Sequence, residues 1–523
     1  MVWHDWDRKA FERAAAERKP VFLHLASSVS RLSASVDAVY ERPIVSSLIA
    51  SRFIPVRVAA EDRPDLVHRF GSADAAPVVL DHSGTPVSTV SFFSPEDLAE
   101  TLAKTADACG AGGKAQAKPR AERPAPLSDL DPERPAAVLG RLRFERSDFF
   151  PCAESLEFLL YAAKEWKSAE LRETLKFQLA KLGRSEAWDA KEGLFSREDE
   201  VPRVDLNARL ARVFLDASAL TGDASLREQG LRVAGSVLRC FYDDRVGAFR
   251  LVPDAAARVF YADANAAAAI CMLRAAARGQ VGEWREAADR AFVFLTNMFD
   301  MDNGMAHRWD GKPSLHGLLG DNAWAVLALT ESFLSGGSKP HRELADAVLK
   351  ILFQQFWEGE KGGFLDRAAG DDDIPALGTP VLPGLLNAVA LEGAWRLHHL
   401  KGNVHYGRWA SAALRSVIPA ADSEGCSAAA LARIQDMMAR GRMDLELVGR
   451  VGDTATEEML AAVNSHYLPR KIISFVDPDD QDFILPHKLK TQTWPKLFGC
   501  IDLRPKVEAS RPSEVGPLLD AIS

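Results

Sequence analysis

The chain has 523 residues, 47% of them hydrophobic, and carries a net charge of −9 from 64 Lys and Arg against 73 Asp and Glu. That length exceeds one ordinary domain, so two or three are expected. The acidic balance excludes nucleic acid as a main partner, because phosphate binding needs a concentrated basic face, and no run reaches the ~18 apolar residues of a membrane span.

Residues 1–108 alternate helix and strand patterns. Phe11–Lys19 reads as a helix, and Pro20-Val21-Phe22-Leu23-His24-Leu25 as a buried strand. Phe53–Val58, Pro77–Leu80 and Val87–Phe93 are further strand candidates, with a turn at His82–Thr85. Ser94-Pro95 opens a helix. The order β-α-β-α-β-β-α predicts a thioredoxin-like domain, and resemblance to such folds makes Pro77 the cis-proline candidate. Residues 109–135, rich in Gly, Ala, Pro and charge, read as a linker.

Residues 136–440 carry a repeated signal. An aromatic, an acid and a glycine precede a long loop and then Asn-Ala at the start of an apolar helix. Trp188-Asp189…Gly193 leads to Asn207-Ala208, Tyr242-Asp243…Gly247 to Asn265-Ala266, Phe299-Asp300…Gly304 to Asn322-Ala323, and Trp357-Glu358…Gly362 to Asn387-Ala388. The period of about 57 residues marks repeated helical hairpins. Asn265–Met272 and Asn322–Leu329 carry no charge and read as helices buried all round. Leu226–Phe241, Trp284–Phe299 and Arg342–Phe356 are amphipathic. Two alternating helix types predict two concentric layers, an (α/α)6 toroid of about twelve helices. Residues 441–523 return to mixed patterning and read as a small C-terminal α/β appendage, with strands at Leu445–Val448 and Lys471–Val476 and helices at Thr454–Val463 and Ser513–Ile522. The fold class expected is thus multidomain, α/β plus all-α.

Several segments carry a resemblance. Lys19-Pro20-Val21-Phe22-Leu23, Phe53-Ile54-Pro55-Val56-Arg57-Val58, Glu61-Asp62-Arg63-Pro64-Asp65, Tyr467-Leu468-Pro469-Arg470-Lys471 and Phe498-Gly499-Cys500 resemble the family of spermatogenesis-associated protein 20 and its bacterial relatives. The resemblance implies a thioredoxin-like domain joined to a six-hairpin barrel, similar to the barrels of sugar 2-epimerases and six-hairpin glycosidases. It also exposes departures. Where the family has C-x-x-C this chain has Ser30-Arg31-Leu32-Ser33, and serine can neither attack a disulfide nor resolve one. The family's C-terminal cysteine pair is reduced to Cys500. Its proline-histidine-phenylalanine-glutamate stretch has become Pro202-Arg203-Val204-Asp205, and its proline-serine-glycine-asparagine segment Pro383–Asn387. A redox-inactive, diverged member is expected, a pseudoenzyme with its degenerate redox position at Ser30 and Ser33.

Six cysteines, Cys109, Cys152, Cys240, Cys271, Cys426 and Cys500, lie far apart with no metal-ligand spacing. Scattered thiols and an N-terminus without a signal-peptide pattern predict a reducing, cytoplasmic setting. No metal is expected, and no cofactor, since no nucleotide-binding fingerprint is present.

Candidate chemistry concentrates in the third long loop. His307, His316 and Asp321 are the candidate catalytic residues, with Arg308 and Trp309 beside them. Imidazoles there would shuttle protons near neutral pH, and a tryptophan would stack on a sugar. Arg197, Arg250, Arg308 and Arg367 follow their glycines and would line one mouth of the toroid, with Trp324 near the cavity. The competing reading makes them solvated charges or partners of the repeated aspartates. Asp205, Asp263 and Asp321 are expected first as helix caps and only second as a carboxylate pair. Asp371-Asp372-Asp373 reads as a loop tip. The leading functional expectation is a binding or scaffold protein that meets a protein partner through the thioredoxin-like domain. The alternative is a carbohydrate-active enzyme of epimerase or isomerase type with a sugar-like molecule in the barrel.

Overall fold

A computed structural model describes residues 1–71, 77–92, 94–110, 125–142, 152–253, 258–279, 281–359, 361–370, 374–421, 425–480, 493–501 and 504–522. The bond before Pro77 involves Ala76, and this bond, Asp371–Asp373 and most of the linker lie outside the described residues.

The amino-terminal sheet contains β1 (Val21–Ala26), β2 (Ile54–Ala59), β3 (Val78–Leu80) and β4 (Pro86–Thr89) in the order β2-β1-β3-β4. β1 and β2 are parallel, and β3 runs antiparallel to β1 and to β4. Helices α1 (Arg8–Glu17), α2 (Ser33–Tyr40), α3 (Pro43–Arg52), α4 (Pro64–Phe70) and α5 (Pro95–Gly110) cover both faces. β1 is apolar nearly throughout because both faces are covered. Val21, Leu23 and Leu25 pack towards α1, and Phe22 packs with Tyr40, Ile49 and Leu102 on the other side. This is the thioredoxin-like arrangement.

The middle region is a closed double ring. Its inner helices are α7 (Ala153–Glu165), α9 (Val204–Thr221), α11 (Ala262–Gly279), α13 (Leu319–Gly336), α15 (Gly384–Lys401) and α17 (Gly425–Arg440). Each packs on the next, and α17 returns to α7. The outer layer contains α6 (Arg134–Arg141), α8 (Ala169–Leu182), α10 (Ala224–Phe241), α12 (Gly282–Asn297), α14 (Lys339–Ile351) and α16 (Val404–Ala421). The chain turns from inner to outer layer at signals such as Gly222, left-handed at φ 72°, and Asp223, which accepts the Ser225 N–H.

The repeated signature has a structural cause. Each aromatic-acid pair opens a short β-hairpin, such as β5 (Trp188–Asp189) with β6 (Leu194–Phe195), β7 (Tyr242–Asp243) with β8 (Ala248–Phe249), and β10 (Phe299–Asp300) with β11 (Gly304–Trp309), which also pairs with β9 (Phe260–Tyr261) and β12 (Pro313–His316). The glycines take left-handed φ values of 71° to 76° in the turns. Asp189 and Asp300 accept backbone N–H groups of those turns, which hold their carboxyls below the usual range. The asparagine, fourth residue of the following inner helix, then clamps the hairpin. Asn265 Oδ1 accepts from Phe249 N at 2.7 Å, while its Nδ2 donates to Phe249 O at 3.0 Å and Tyr261 O at 2.8 Å. Asn207 does the same to Phe195 and Arg203, and Asn387 to Phe364 and Pro383. The asparagines thus act as buried clamps inside the first turn. The sequence reading expected the aspartates as helix caps, and the structure corrects this: the caps of α9 and α13 are Arg203 and Leu318, and Asp205 and Asp321 lie inside the first turn.

The carboxyl-terminal sheet has β13 (Met443–Val448), β14 (Lys471–Val476), β15 (Lys496–Ile501) and β16 (Arg504–Ala509), with helices α18 (Thr454–Asn464) and α19 (Val515–Ile522). Its order is β14-β13-β15-β16, with β13 parallel to β14 and antiparallel to β15. Strand order and directions repeat those of the amino-terminal sheet, and a cis peptide bond, Trp494–Pro495, directly precedes β15. The region is the small α/β unit expected, with two further strands not read from the sequence: β15 is interrupted by Gly499, and the alternating β16 by Pro505.

Two cysteines are not the free thiols expected. Cys152 and Cys426, 274 residues apart, form a disulfide with a Cα–Cα distance of 6.2 Å. Ring closure explains the pairing, since it sets the start of the first inner helix beside the start of the last. No helix among the described residues is long and apolar enough to cross a membrane.

Asn265→Ala strands a buried N–H and two carbonyls. We expect a loss of about 2–4 kcal/mol in urea unfolding followed by tryptophan fluorescence. Reduction, or Cys152→Ser with Cys426→Ser, releases the ring closure and is expected to lower stability by about 2–5 kcal/mol, read by the same unfolding curve with and without reductant.

Candidate functional site

The hairpin loops gather at the mouth formed by the amino-terminal ends of the inner helices, and the thioredoxin-like domain covers that mouth. Val201 N–H donates to Val29 O at 2.8 Å, and Arg31 N–H to Asp199 O at 2.7 Å. Ser30 and Glu200 form an antiparallel bridge. Tyr261 Oη donates to Asp62 at 2.9 Å, and Arg69 reaches the buried Asp366 at 2.8 Å. Ile374 and Leu377 of the toroid complete the core on the α1 side of the amino-terminal sheet. The edge where a thioredoxin carries its dithiol is therefore an internal interface. Ser30 is buried, and Ser33 Oγ donates to Ser27 O at 2.6 Å.

Between cap and toroid lies a cavity of about 250 Å³, lined by Ser27 and Glu61 of the cap and by Glu200, Arg203, Asp205, Tyr261, Asp263 and His307 of the toroid. This is slightly below the ~300–1,000 Å³ of drug-sized sites and suits a small ligand. Asp205 and Asp263 occupy the second positions of α9 and α11, two residues before their clamping asparagines. Their environments differ. Arg203 grips Asp205 through two bonds of 3.0 and 2.9 Å; burial pushes that carboxyl up, but the guanidinium wins and holds it below the usual range. Asp263 has no such partner. Burial, then the neighbouring charges of Asp321 and Asp205, push it up to about 6.

His307 lies on β11 (Gly304–Trp309), deeply buried. Its Nδ1 is 2.9 and 3.0 Å from the two oxygens of Asp321, and its Nε2 is 2.6 Å from Glu61 O. All these partners accept, so both ring nitrogens carry hydrogens. Burial opposes that charge, but Asp321 outweighs it and raises His307 to about 10. His307 is therefore a fixed cation joining the two domains, and it does not titrate near neutrality as the sequence reading expected. Ligand atoms of Asp263, His307 and Asp321 come within 4.8 Å of one another. The short imidazole–carboxylate contacts make this trio a charge pair with a neighbouring acid, since the nitrogen a metal would need is already donating.

The other candidates disperse. His316 lies on β12 (Pro313–His316), in a separate seam with Trp6, Arg63 and Arg367. Arg308 pairs with Asp62 and Asp310, Arg250 with Asp243, and Arg367 with Asp65. Arg197 is half exposed, 4.0 Å from Glu200. Trp309 packs edge-on against Phe260, 5.5 Å between ring centroids. Trp324 meets the guanidinium of Arg209, which is ion-paired with Glu154 and Glu157. Of the cavity residues, Arg203 and Tyr261 were not singled out as site residues, and Asp205 and Asp263 were weighed as a carboxylate pair only second to helix capping. The signal for them was positional: each stands just before or within the first turn of an inner helix.

No curated protein sequence matches the chain. Among solved structures it is similar to a D-mannose isomerase, at 11% identity over 55% of this chain and 87% of that one, TM-score 0.45. It is also similar to an unsaturated glucuronyl hydrolase specific for heparin, at 13% identity over 58% and 95%, TM-score 0.47, and to a cellobiose 2-epimerase from Bacillus thermoamylovorans, at 7% identity over 42% and 65%, TM-score 0.38. Residues 1–105 match the family model Thioredox_DsbH, described as a protein of unknown function, DUF255, and this thioredoxin-like family is the one to which the amino-terminal domain belongs.

Proposed function

We propose that the protein binds a sugar-sized polyhydroxylated molecule in the capped cavity and moves a proton on it, in chemistry of the epimerase or isomerase kind. The thioredoxin-like domain serves as a non-redox cap. The observation that carries this reading is the contrast between Asp205 and Asp263, two carboxylates lining one cavity whose surroundings push them in opposite directions. A base works best when its pKa lies near the working pH. Asp263, at about 6, meets that condition and is assigned the shuttle role. Asp205 keeps Arg203 in place at the cavity wall, and the His307–Asp321 pair fixes the first turn of α13 against the cap. The named activities of the similar structures, D-mannose isomerase and cellobiose 2-epimerase, suggest hexoses as the first substrates to try.

A second reading, a scaffold that meets a protein partner, draws on the dispersal of His307, His316 and Arg308 over three surroundings. A stoichiometric protein co-purifying with the chain in native mass spectrometry would favour it.

Incubation with D-mannose in deuterium oxide should place deuterium on the carbon beside the carbonyl, read by NMR. Asp263→Asn should abolish the exchange. Because Asp263 must be ionised to accept a proton, the rate should rise with pH through about 6 and level off above it. The same variant removes a carboxylate whose raised pKa disfavours the folded state above the ordinary carboxylate range. Its melting temperature at pH 7 should therefore exceed that of the parent, by an effect of order 1 kcal/mol, and this gain should vanish near pH 4. Exchange unchanged in Asp263→Asn would sink the assignment.

A further inference from the structure

The bond that closes the ring joins two sulfurs that are both placed to leave as thiolates. Cys152 is the N-cap of α7, and Cys426 is the second residue of α17. Each sulfur thus stands at the positive end of a helix, which favours thiolate over thiol. In the disulfide the Cys152 side chain caps no N–H of α7. A thiolate there is a stronger acceptor for the N–H groups that a first turn leaves unpaired. The Ser155 hydroxyl, 3.0 Å from Cys152 Sγ, is a further donor for it. Glu154, in the same turn, opposes that charge, but Arg209 of α9 pairs with it, and Glu157 is taken by Arg209 and Arg212. Cys152 and Glu154 are buried and Cys426 is partly exposed, so an incoming thiolate has its approach at Cys426.

The seam between α7 and α17 is tied at both ends. At the end away from the cap, Tyr161 Oη donates to Asp436 at 2.9 Å and Arg440 to Glu165 O at 3.2 Å. At the mouth the tie is the disulfide. Breaking it frees the mouth end while the other end stays bonded. The freed turn carries Glu154, whose partner Arg209 lies one turn beyond Asp205 on α9 and helps to hold that cavity carboxyl below the usual range.

We propose that Cys152–Cys426 is a reversible thiol-exchange site, through which a dithiol reductant loosens the capped mouth of the ring. As regulation of the cavity, the inference rests on the reading of that cavity as the working site. One thiolate of the reductant attacks Cys426 Sγ and forms a mixed disulfide, while the Cys152–Cys426 bond breaks and its electron pair leaves on Cys152 Sγ. The second thiolate of the reductant then attacks its own sulfur partner in the mixed disulfide and releases Cys426 as a thiolate. Two electrons have passed to the cysteine pair, the reductant ends as a disulfide, and its two protons go to the cysteine sulfurs or to solvent. An oxidised dithiol reverses both steps. The redox chemistry that Ser30 and Ser33 cannot perform in the cap is thereby placed in the toroid beneath it.

Amide hydrogen exchange read by mass spectrometry tests this on the full chain, oxidised, reduced with dithiothreitol and reoxidised, with maleimide labelling to report the thiols of Cys152 and Cys426. Both cysteines should label after reduction without denaturant. Exchange in residues 153–158, 426–431 and 204–210 should then quicken by at least ~10-fold, while residues 161–165 and 436–440 stay as they were, and reoxidation should restore the slow rates. Cys152→Ser with Cys426→Ser should match the reduced form; if that variant does not fold, the comparison of the two redox states of the parent decides. A bond that dithiothreitol breaks only in denaturant would overturn the proposal. So would reduction with no faster exchange at the mouth, or faster exchange along the whole of α7 and α17, which marks a staple of the fold and not a switch. The readout is the protein's own amides, so a failure to exchange protons on mannose would count against the proposed function alone.

Discussion

The asparagine clamp is the interaction on which the rest of the molecule depends. An amide side chain is well suited to it, because it carries one acceptor and two donors in a plane and so can satisfy both backbone groups of a hairpin residue and one carbonyl of its own helix. Each clamp fixes the first turn of an inner helix relative to the hairpin before it. That fixation places Asp205, Asp263 and Asp321, one or two residues before their asparagines, at one mouth of the ring. The left-handed glycines belong to the same device: a side chain on Gly304 would come within 2.5 Å of the Asn322 oxygen. The repeat conspicuous in the sequence therefore serves shape first, and the acids that line the cavity are held by it.

The amino-terminal domain meets the toroid along the edge that carries Ser30 and Ser33, where residues 29–31 form backbone bridges with residues 199–201. The Glu61-Asp62-Arg63-Pro64-Asp65 stretch is equally engaged. Glu61 O anchors His307, Asp62 holds Tyr261, and Arg63 grips Asp65 with bonds of 2.8 and 2.7 Å. Buried ion pairs such as Arg69–Asp366 give this interface its specificity, because removing either partner would leave a charge in the interior.

The opposite end of the ring is also closed and also charged. The Tyr467-Leu468-Pro469 segment lies against Arg212, Arg274 and Glu331, and Arg396 donates to Pro469 O at 3.1 Å. Lys471, buried and bonded to Leu334 O and Asn464, is pushed down to about 7 by burial. With acids and bases interleaved there, that end differs from the capped mouth, where acids predominate. Two sheets of the same strand order thus close the two ends of the ring, and the two ends differ in their electrostatics.

The sequence by itself determined the elements and their layering. Apolar runs fixed β1 and β2, charge-free helices marked the inner ring, and the Asn-Ala period marked four of its six hairpins, because these features depend on burial and local hydrogen bonding that each segment carries along its own length. Tertiary structure alone decided the site. Whether Asp263 is a cap or a cavity acid, whether His307 is a proton shuttle or a fixed cation, and whether Cys152 is free depend on groups brought from elsewhere in the chain: Asp321, the Glu61 carbonyl and Cys426. Coulombic and hydrogen-bonding partners of that kind leave no local periodicity. Only the closure of the ring and the docking of the cap bring them together.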